Sequence, residues 1–226
     1  MAKYNYRCKF CDAGFVREDR YLKHRCKAME RDEEIRTPIG QAAWEYYKLW
    51  LTLQRRQAPT VQTFLDSRYY TALVRFAKFA QKTGIPNTEQ YIKYMVRSDV
   101  SPMLWTNDQM YSDYLQYLDR GRDPMAQVQY TIDYLFKIAD ALECEVGEIF
   151  DHLNADEVIM MLRRRQLTPW ILLHSSKFRD FTQKKMTTDQ QMVFKTIVKP
   201  ETWVSRRKDN PDIVATMKEI VRELNL

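Results

Sequence analysis

The sequence predicts a mainly α protein in which a small ββα module precedes an all-helical domain. Three observations lead there. Glycine is scarce, 5 in 226 residues, and proline modest at 8, so tight turns are few and long helices are favoured over a sandwich or barrel. Apolar residues recur at helical spacing along most of the chain. Three of the four cysteines fall within CKFCDAGFVREDRYLKHRC, residues 8–26, which sets the N-terminus apart from the rest.

The N-terminal module is read from its ligand chemistry. Cys8 and Cys11 have the C-x2-C spacing that puts two sulfurs on one tight knuckle, and His24 follows Cys11 after twelve residues. Thiolates and imidazoles at these spacings are zinc ligands. Tyr6, Phe15 and Tyr21 stand where a finger places its miniature core. Residues 1–26 therefore resemble a zinc finger of the two-cysteine, two-histidine class. The departure is the fourth ligand, because the second histidine is missing and Cys26 follows His24 instead. On a regular helix, residues two apart point about 200° apart. Either the helix breaks at Arg25, or Cys26 is replaced by a distant His152, His174 or Cys144. Cys26 is favoured, being local and a good thiolate ligand.

The resemblance also implies a reading face. With His24 at the seventh helical position, Arg17, Arg20 and Lys23 occupy the positions from which such fingers reach base edges, with Asp19 able to brace Arg17. Arginine and lysine are the common partners of guanine. One finger spans about three base pairs, so Lys27, Arg31 and the rest of the chain would have to add phosphate contacts. The module is taken as 1–28.

A linker helix, 29–38, follows and stops at Thr37-Pro38. The helical domain, 39–226, opens with GQAAWEYYKLWLTLQRR at 40–56, whose buried face is Ala43, Tyr46, Tyr47 and Trp50. Helix 67–82 carries Tyr69, Leu73, Phe76 and Ala80 and ends at Gly84 and Pro86. Asn87 caps 88–97. Thr106 or Asn107 caps 108–119, with Met110, Tyr111, Tyr114, Leu115 and Leu118 as its stripe. Asp123-Pro124 opens 124–142, with Val128, Ile132, Leu135 and Leu142 inward. Asn154 and Glu157 form a capping box for a helix ending in Arg163-Arg164-Arg165. Shorter helices begin at Pro169, at KFRDF, at TTDQQMVFKTIV and at Pro200, the last closed by Arg206-Arg207-Lys208. Asn210-Pro211 caps the final helix, with Ile213, Met217, Ile220, Val221 and Leu224 inward. A break between two subdomains is expected near 121–154.

Charge is uneven. Residues 1–29 hold eight basic against three acidic side chains, 30–154 hold 14 against 18, and 155–226 hold 14 against nine. Basic ends suit a polyanion, which adds Arg163, Arg164, Arg165, Arg206, Arg207 and Lys208 to the candidate nucleic-acid contacts. Cations also suit a helix C-terminus, so the first arginine run has a purely structural reading as well. No apolar run approaches a membrane helix and no signal-peptide pattern is present. The expectation is a soluble intracellular protein.

FKIADALECEVGEIFDHL is similar to the tail of a phage-repressor helix-turn-helix domain, but RGRDPMAQVQYTID upstream lacks the small-residue turn of the DNA-reading part. Taken together, HRCK, AWEYYKLW, SRYYTALVRFAKFA, RRRQLTPWILLHSS and PETWVSRRKDNPD resemble an uncharacterised protein family of T-even-type tailed phages across nearly the whole chain. That resemblance implies a phage protein acting in the cytoplasm of an infected bacterium, and it brings no activity with it. The chain has no Gly-rich phosphate loop, no G-x-S-x-G and no H-E-x-x-H, and no catalytic residue is assigned. The expected function is a zinc-finger accessory protein that contacts duplex DNA and holds a replication, transcription or packaging partner through its helical body. The alternatives are a protein-interaction adaptor and, more weakly, a metal-dependent nuclease.

Overall fold

A computed structural model describes residues 4–226. Residues 1–3, which the sequence assigns to the finger, lie outside the described residues. Among those described, one two-stranded hairpin precedes fifteen α-helices, so the fold is a small N-terminal element followed by an all-helical body. The chain divides into two compact units. One comprises the residues up to 82 with 87–106, and the other comprises 83–86 with 107–226. The finger and its linker helix cluster with the first unit, and the segment 121–154 lies inside the second.

In the first unit, β1 (Tyr6–Arg7) pairs antiparallel with β2 (Gly14–Phe15), Tyr6 opposite Phe15. Six helices follow: α1 (Glu18–Leu22), α2 (Lys27–Glu34), α3 (Pro38–Leu53), α4 (Val61–Leu65), α5 (Tyr70–Thr83) and α6 (Thr88–Arg97). Pro38 at the first turn and the Thr37 hydroxyl, accepting from the Gly40 N–H at 3.1 Å, start α3. Its buried face is Gly40, Ala43, Tyr47, Trp50 and Leu51. Beneath it Trp105 meets Trp50 and Phe76 edge-on, with centroids 6.5 and 5.1 Å apart. The polar ends of this aromatic core are satisfied: Tyr91 Oη donates to the Trp105 carbonyl at 2.9 Å and Trp105 Nε1 to the Val100 carbonyl at 3.0 Å.

Gly40 is the tightest point of this unit. A Cβ there would stand 2.0 Å from the Glu34 carbonyl oxygen and 2.5 Å from Ile35 Cα. Glycine to alanine in a helix ordinarily gains up to about 1 kcal/mol. Here backbone meets backbone, so Gly40→Ala is expected to destabilise the chain by about 1–3 kcal/mol, read as a lower urea midpoint.

The second unit contains α7 (Asp108–Arg120), α8 (Pro124–Leu142), α9 (Ile149–His152), α10 (Ala155–Arg163), α11 (Pro169–Leu172), α12 (Ser176–Lys184), α13 (Thr188–Val198), α14 (Pro200–Asp209) and α15 (Pro211–Glu223). Asn107, not Thr106, caps α7, accepting from the Gln109 and Met110 N–H groups. Asp123 caps α8, and the Asn154–Glu157 box opens α10. Asn210 departs from expectation: it makes no side-chain cap for α15, and its Nδ2 donates to the Arg206 carbonyl instead. The inward face of α8 is Val128, Thr131, Leu135 and Ala139, while Leu142 is exposed. α7 is the centre of this unit. Its Ser112 hydroxyl donates to the Thr196 carbonyl, Gln116 Nε2 reaches the Val198 carbonyl at 3.2 Å, and Asp113 pairs with Lys199. Trp203 packs edge-on against Trp170 at 5.0 Å and donates Nε1 to the Val198 carbonyl. Among the described residues no helix is long and apolar enough to cross a membrane.

Candidate metal centre

The Cys8, Cys11 and Cys26 sulfurs and a His24 ring nitrogen all lie within 4.8 Å of one another. The Cys8 and Cys26 sulfurs are 3.9 Å apart, and the Cys11 sulfur is 3.3 Å from His24 Nε2. A tetrahedral ion with ligand bonds of about 2.0–2.3 Å separates its donor atoms by about 3.5–3.8 Å. The donor set and spacing therefore fit one small cation, and this group can hold a metal ion.

Local structure explains how each ligand arrives. The hairpin brings Cys8 and Cys11 onto one knuckle, closed by Cys8 N–H to the Ala13 carbonyl at 3.0 Å and by Asp12 N–H to the Cys8 carbonyl at 2.9 Å. Asp12 turns the chain with φ of 56°, a conformation aspartate tolerates better than most residues. Tyr6 stacks on Tyr21 at 5.6 Å, and Phe15 lies 6.0 Å from Tyr21 and 4.8 Å from the His24 ring. These rings form the miniature core the sequence marks, and Phe15 packs against the imidazole.

The conflict between His24 and Cys26 is resolved by the backbone. α1 has only five residues and ends at Leu22, with Lys23 as its C-cap. His24 is therefore not the seventh residue of a helix. Cys26 is extended, φ −133° and ψ 156°, and is the N-cap of α2. The unwound stretch lets side chains two apart face one point, which a continuous helix forbids. The distant candidates stay out of the cluster: His152 is exposed, while His174 and Cys144 are half-buried in the second unit.

The Cys8 and Cys11 thiols shift in opposite directions at this separation. The Phe10 backbone N–H holds the Cys8 thiol down at about 6, against the pull of burial. The Cys11 thiol is raised: the Ala13 backbone lowers it, but burial and the Cys26 and Cys8 sulfurs outweigh that. A divalent ion removes the conflict, because it favours the thiolate form of every sulfur it binds.

The predicted reading face sits around this cluster. Arg17, Arg20, Lys23 and Lys27 are all exposed. Asp19 braces Arg17 with two bonds of 2.9 and 2.8 Å. The face is not one continuous helix, however. Arg17 is the N-cap of α1, Lys23 its C-cap, and Lys27 begins α2.

The basic runs of the body divide differently. Arg165 is almost wholly buried, its side chain 8% exposed, and pairs with Asp119 at 2.7 Å. Arg206 reaches the same carboxylate oxygen at 3.6 Å and lies over the Trp203 ring. Arg163 pairs with Asp108 at 2.9 Å, and its carbonyl accepts from Tyr111 Oη. These three arginines hold the second unit together and leave the candidate nucleic-acid surface. Arg207 is half-buried, donating Nε to the Trp203 carbonyl. Arg164 and Lys208 remain exposed. Sequence reasoning missed Asp119. Its one signal is position, four residues after Leu115 on the buried face of α7. Burial pushes the Asp119 carboxyl up, with Arg165, Arg206 and Arg122 pulling it back.

His174, one of the distant ligand candidates, is half-buried. Its Nε2 is buried with no hydrogen-bond partner, and burial, then Arg207 and Lys218, lower its pKa. The Cys144 thiol is raised by burial, with Glu148 and Glu145 adding to it. No protein-family model, curated protein or solved structure matches the chain.

Proposed function

We propose that the metal is zinc and that the folded finger docks the chain on duplex DNA, chiefly through the phosphate backbone. The observation that carries this reading is the closed group of Cys8, Cys11, His24 and Cys26 with four exposed cations around it. Three thiolates and one imidazole in a tetrahedral arrangement suit zinc, and a closed set of four protein ligands suits a structural role. Arg20 and Lys23, three apart, share one side of the finger. Lys27 extends it, and Asp19 holds the Arg17 guanidinium outward. A helix of five residues offers little length to a major groove, so phosphate contact dominates over base reading. In the infected cell that the phage resemblance implies, such a finger would tether the helical body, and whatever partner it holds, to DNA.

Duplex binding should weaken steeply with salt, the logarithmic slope falling by about 0.9 for each phosphate contact. Replacing Arg17, Arg20 and Lys23 together by alanine in the zinc-loaded chain should lower both affinity and slope, as followed by fluorescence anisotropy. A triple variant that binds as tightly as the parent, with an unchanged slope, sinks the proposal.

A second reading is favoured by Val16 and Leu22, which are 56% and 73% exposed beside the same cations. Apolar residues placed among cations suit a protein partner. Under that reading, Val16→Ser with Leu22→Ser would abolish partner capture while leaving DNA affinity unchanged.

A further inference from the structure

The second unit contains a cavity of about 300 Å³, within the size range of small-ligand sites, walled by Asp119, Arg122, Ala126, Tyr130, Arg165 and Leu167 among others. Two carboxylates, Asp119 and Asp123, and two guanidiniums, Arg122 and Arg165, line it, and Arg206 reaches Asp119 from outside the lining as a third. Asp119, 3% exposed, faces both Arg165 and Arg206 within 4 Å, and Arg122 is a third cation felt by the same carboxyl. Asp123, also on the wall, is committed to the Met125 and Ala126 N–H groups. That cap also occupies the N-terminus of α8, so an anion here would be held by guanidiniums rather than by helix N–H groups. Arg122 forms no ion pair among the described residues. Arg165 is held at φ 60°, and its buried Nε has no hydrogen-bond partner. The guanidinium without an ion pair, that of Arg122, is thus an exposed one, which an incoming anion can reach.

We propose that this cavity binds a phosphomonoester of nucleotide size, with its phosphate on Arg122 and Arg165 and its base against Tyr130. Paired guanidiniums recognise phosphate oxygens with charge-assisted bonds. Tyr130, 55% exposed at the wall, offers a flat ring for a base to stack on. Ala126 and Leu167 supply apolar walls. The phosphate can belong to a free nucleotide or to the 5′ end of a strand, and the chemistry is shared. This inference is independent of the finger and survives its failure.

The test is calorimetric titration of the full chain with a nucleoside monophosphate, the matching nucleoside, and a short oligonucleotide with and without a 5′ phosphate. The monophosphate should bind with a Kd of about 1 mM or tighter, and the nucleoside at least about tenfold more weakly, since charge-assisted bonds are lost. Binding of the 5′-phosphorylated strand over its unphosphorylated twin identifies a strand end as the source. Binding of the mononucleotide alone identifies a small molecule. Arg122→Ala, on an exposed side chain, should weaken phosphate binding at least about tenfold with the melting temperature retained, and Arg165→Lys should weaken it also. Should Arg165→Lys unfold the chain, Arg122→Ala decides alone. No binding by any phosphorylated probe, equal binding of nucleoside and nucleotide, or an indifferent Arg122→Ala would each overturn the assignment.

Discussion

Removing the metal by a strong chelator is expected to unfold residues 4–26 while both helical units stay folded. The reason is the poverty of this segment without the ion. Its strands are two residues long and its helix five. Cys8 is its only fully buried residue among those described, and the three-ring cluster of Tyr6, Phe15 and Tyr21 is all the core it has. A miniature fold of this size draws its stability from the metal, at about 10–16 kcal/mol of binding free energy for structural zinc sites at neutral pH. Backbone NMR should show the resonances of this segment collapse to random-coil positions on chelation and return with one equivalent of zinc. Serine at Cys8, Cys11 or Cys26, or asparagine at His24, should have the same effect and reduce bound metal, whereas Cys144→Ser should do neither. Cobalt substitution adds an independent reading, because a tetrahedral site with three sulfurs has an absorption that the loss of one thiolate alters. Dispersed, unchanged resonances after complete chelation would show that the ring cluster suffices and that the ion is dispensable.

The second large effect is expected at Asp119. Asp119→Ala leaves Arg165 buried with no counter-ion and Arg206 without its carboxylate, and breaking a buried pair from one side costs about 3–5 kcal/mol. The loss should appear in urea unfolding of the second unit. The cost belongs to the orphaned charge, so Asp119→Leu combined with Arg165→Met should restore most of the stability, because well-packed apolar residues replace a buried pair at little cost. A single variant as stable as the parent would mean that water reaches Arg165 readily and that the cluster is a surface feature.

Asp119 also shows where reading the sequence stopped. Nothing in LQYLDRGRD distinguishes it from the other acidic residues of the chain, and the partners that define its role lie 46 and 87 positions further on. The arginine runs misled for the same reason. Arg163-Arg164-Arg165 and Arg206-Arg207-Lys208 look alike as strings of charge, yet folding commits Arg163, Arg165 and Arg206 to carboxylates and leaves Arg164 and Lys208 exposed. Local signals did better. The caps at Asn87, Asp123 and Asn154 and the helix starts at Pro169 and Pro200 lie where the residues put them, because a cap is decided within four residues. Asn210 is the exception, its side chain drawn back to the Arg206 carbonyl.

The finger lies between these cases. The spacing of Cys8, Cys11 and His24 and the rings at Tyr6, Phe15 and Tyr21 were enough to mark a metal module, since ligands and core lie within one short stretch. The sequence alone thus determined the fold class, most helix boundaries and the candidate ligands, with Cys26 favoured as the fourth, all of them properties of neighbours along the chain. Only the tertiary structure decided that α1 stops at Leu22 so that Cys26 can face His24, that Arg163, Arg165 and Arg206 turn inward, and that Asp119 stands between two of them. Those outcomes depend on desolvation and charge pairing between residues far apart in sequence, which no local pattern encodes.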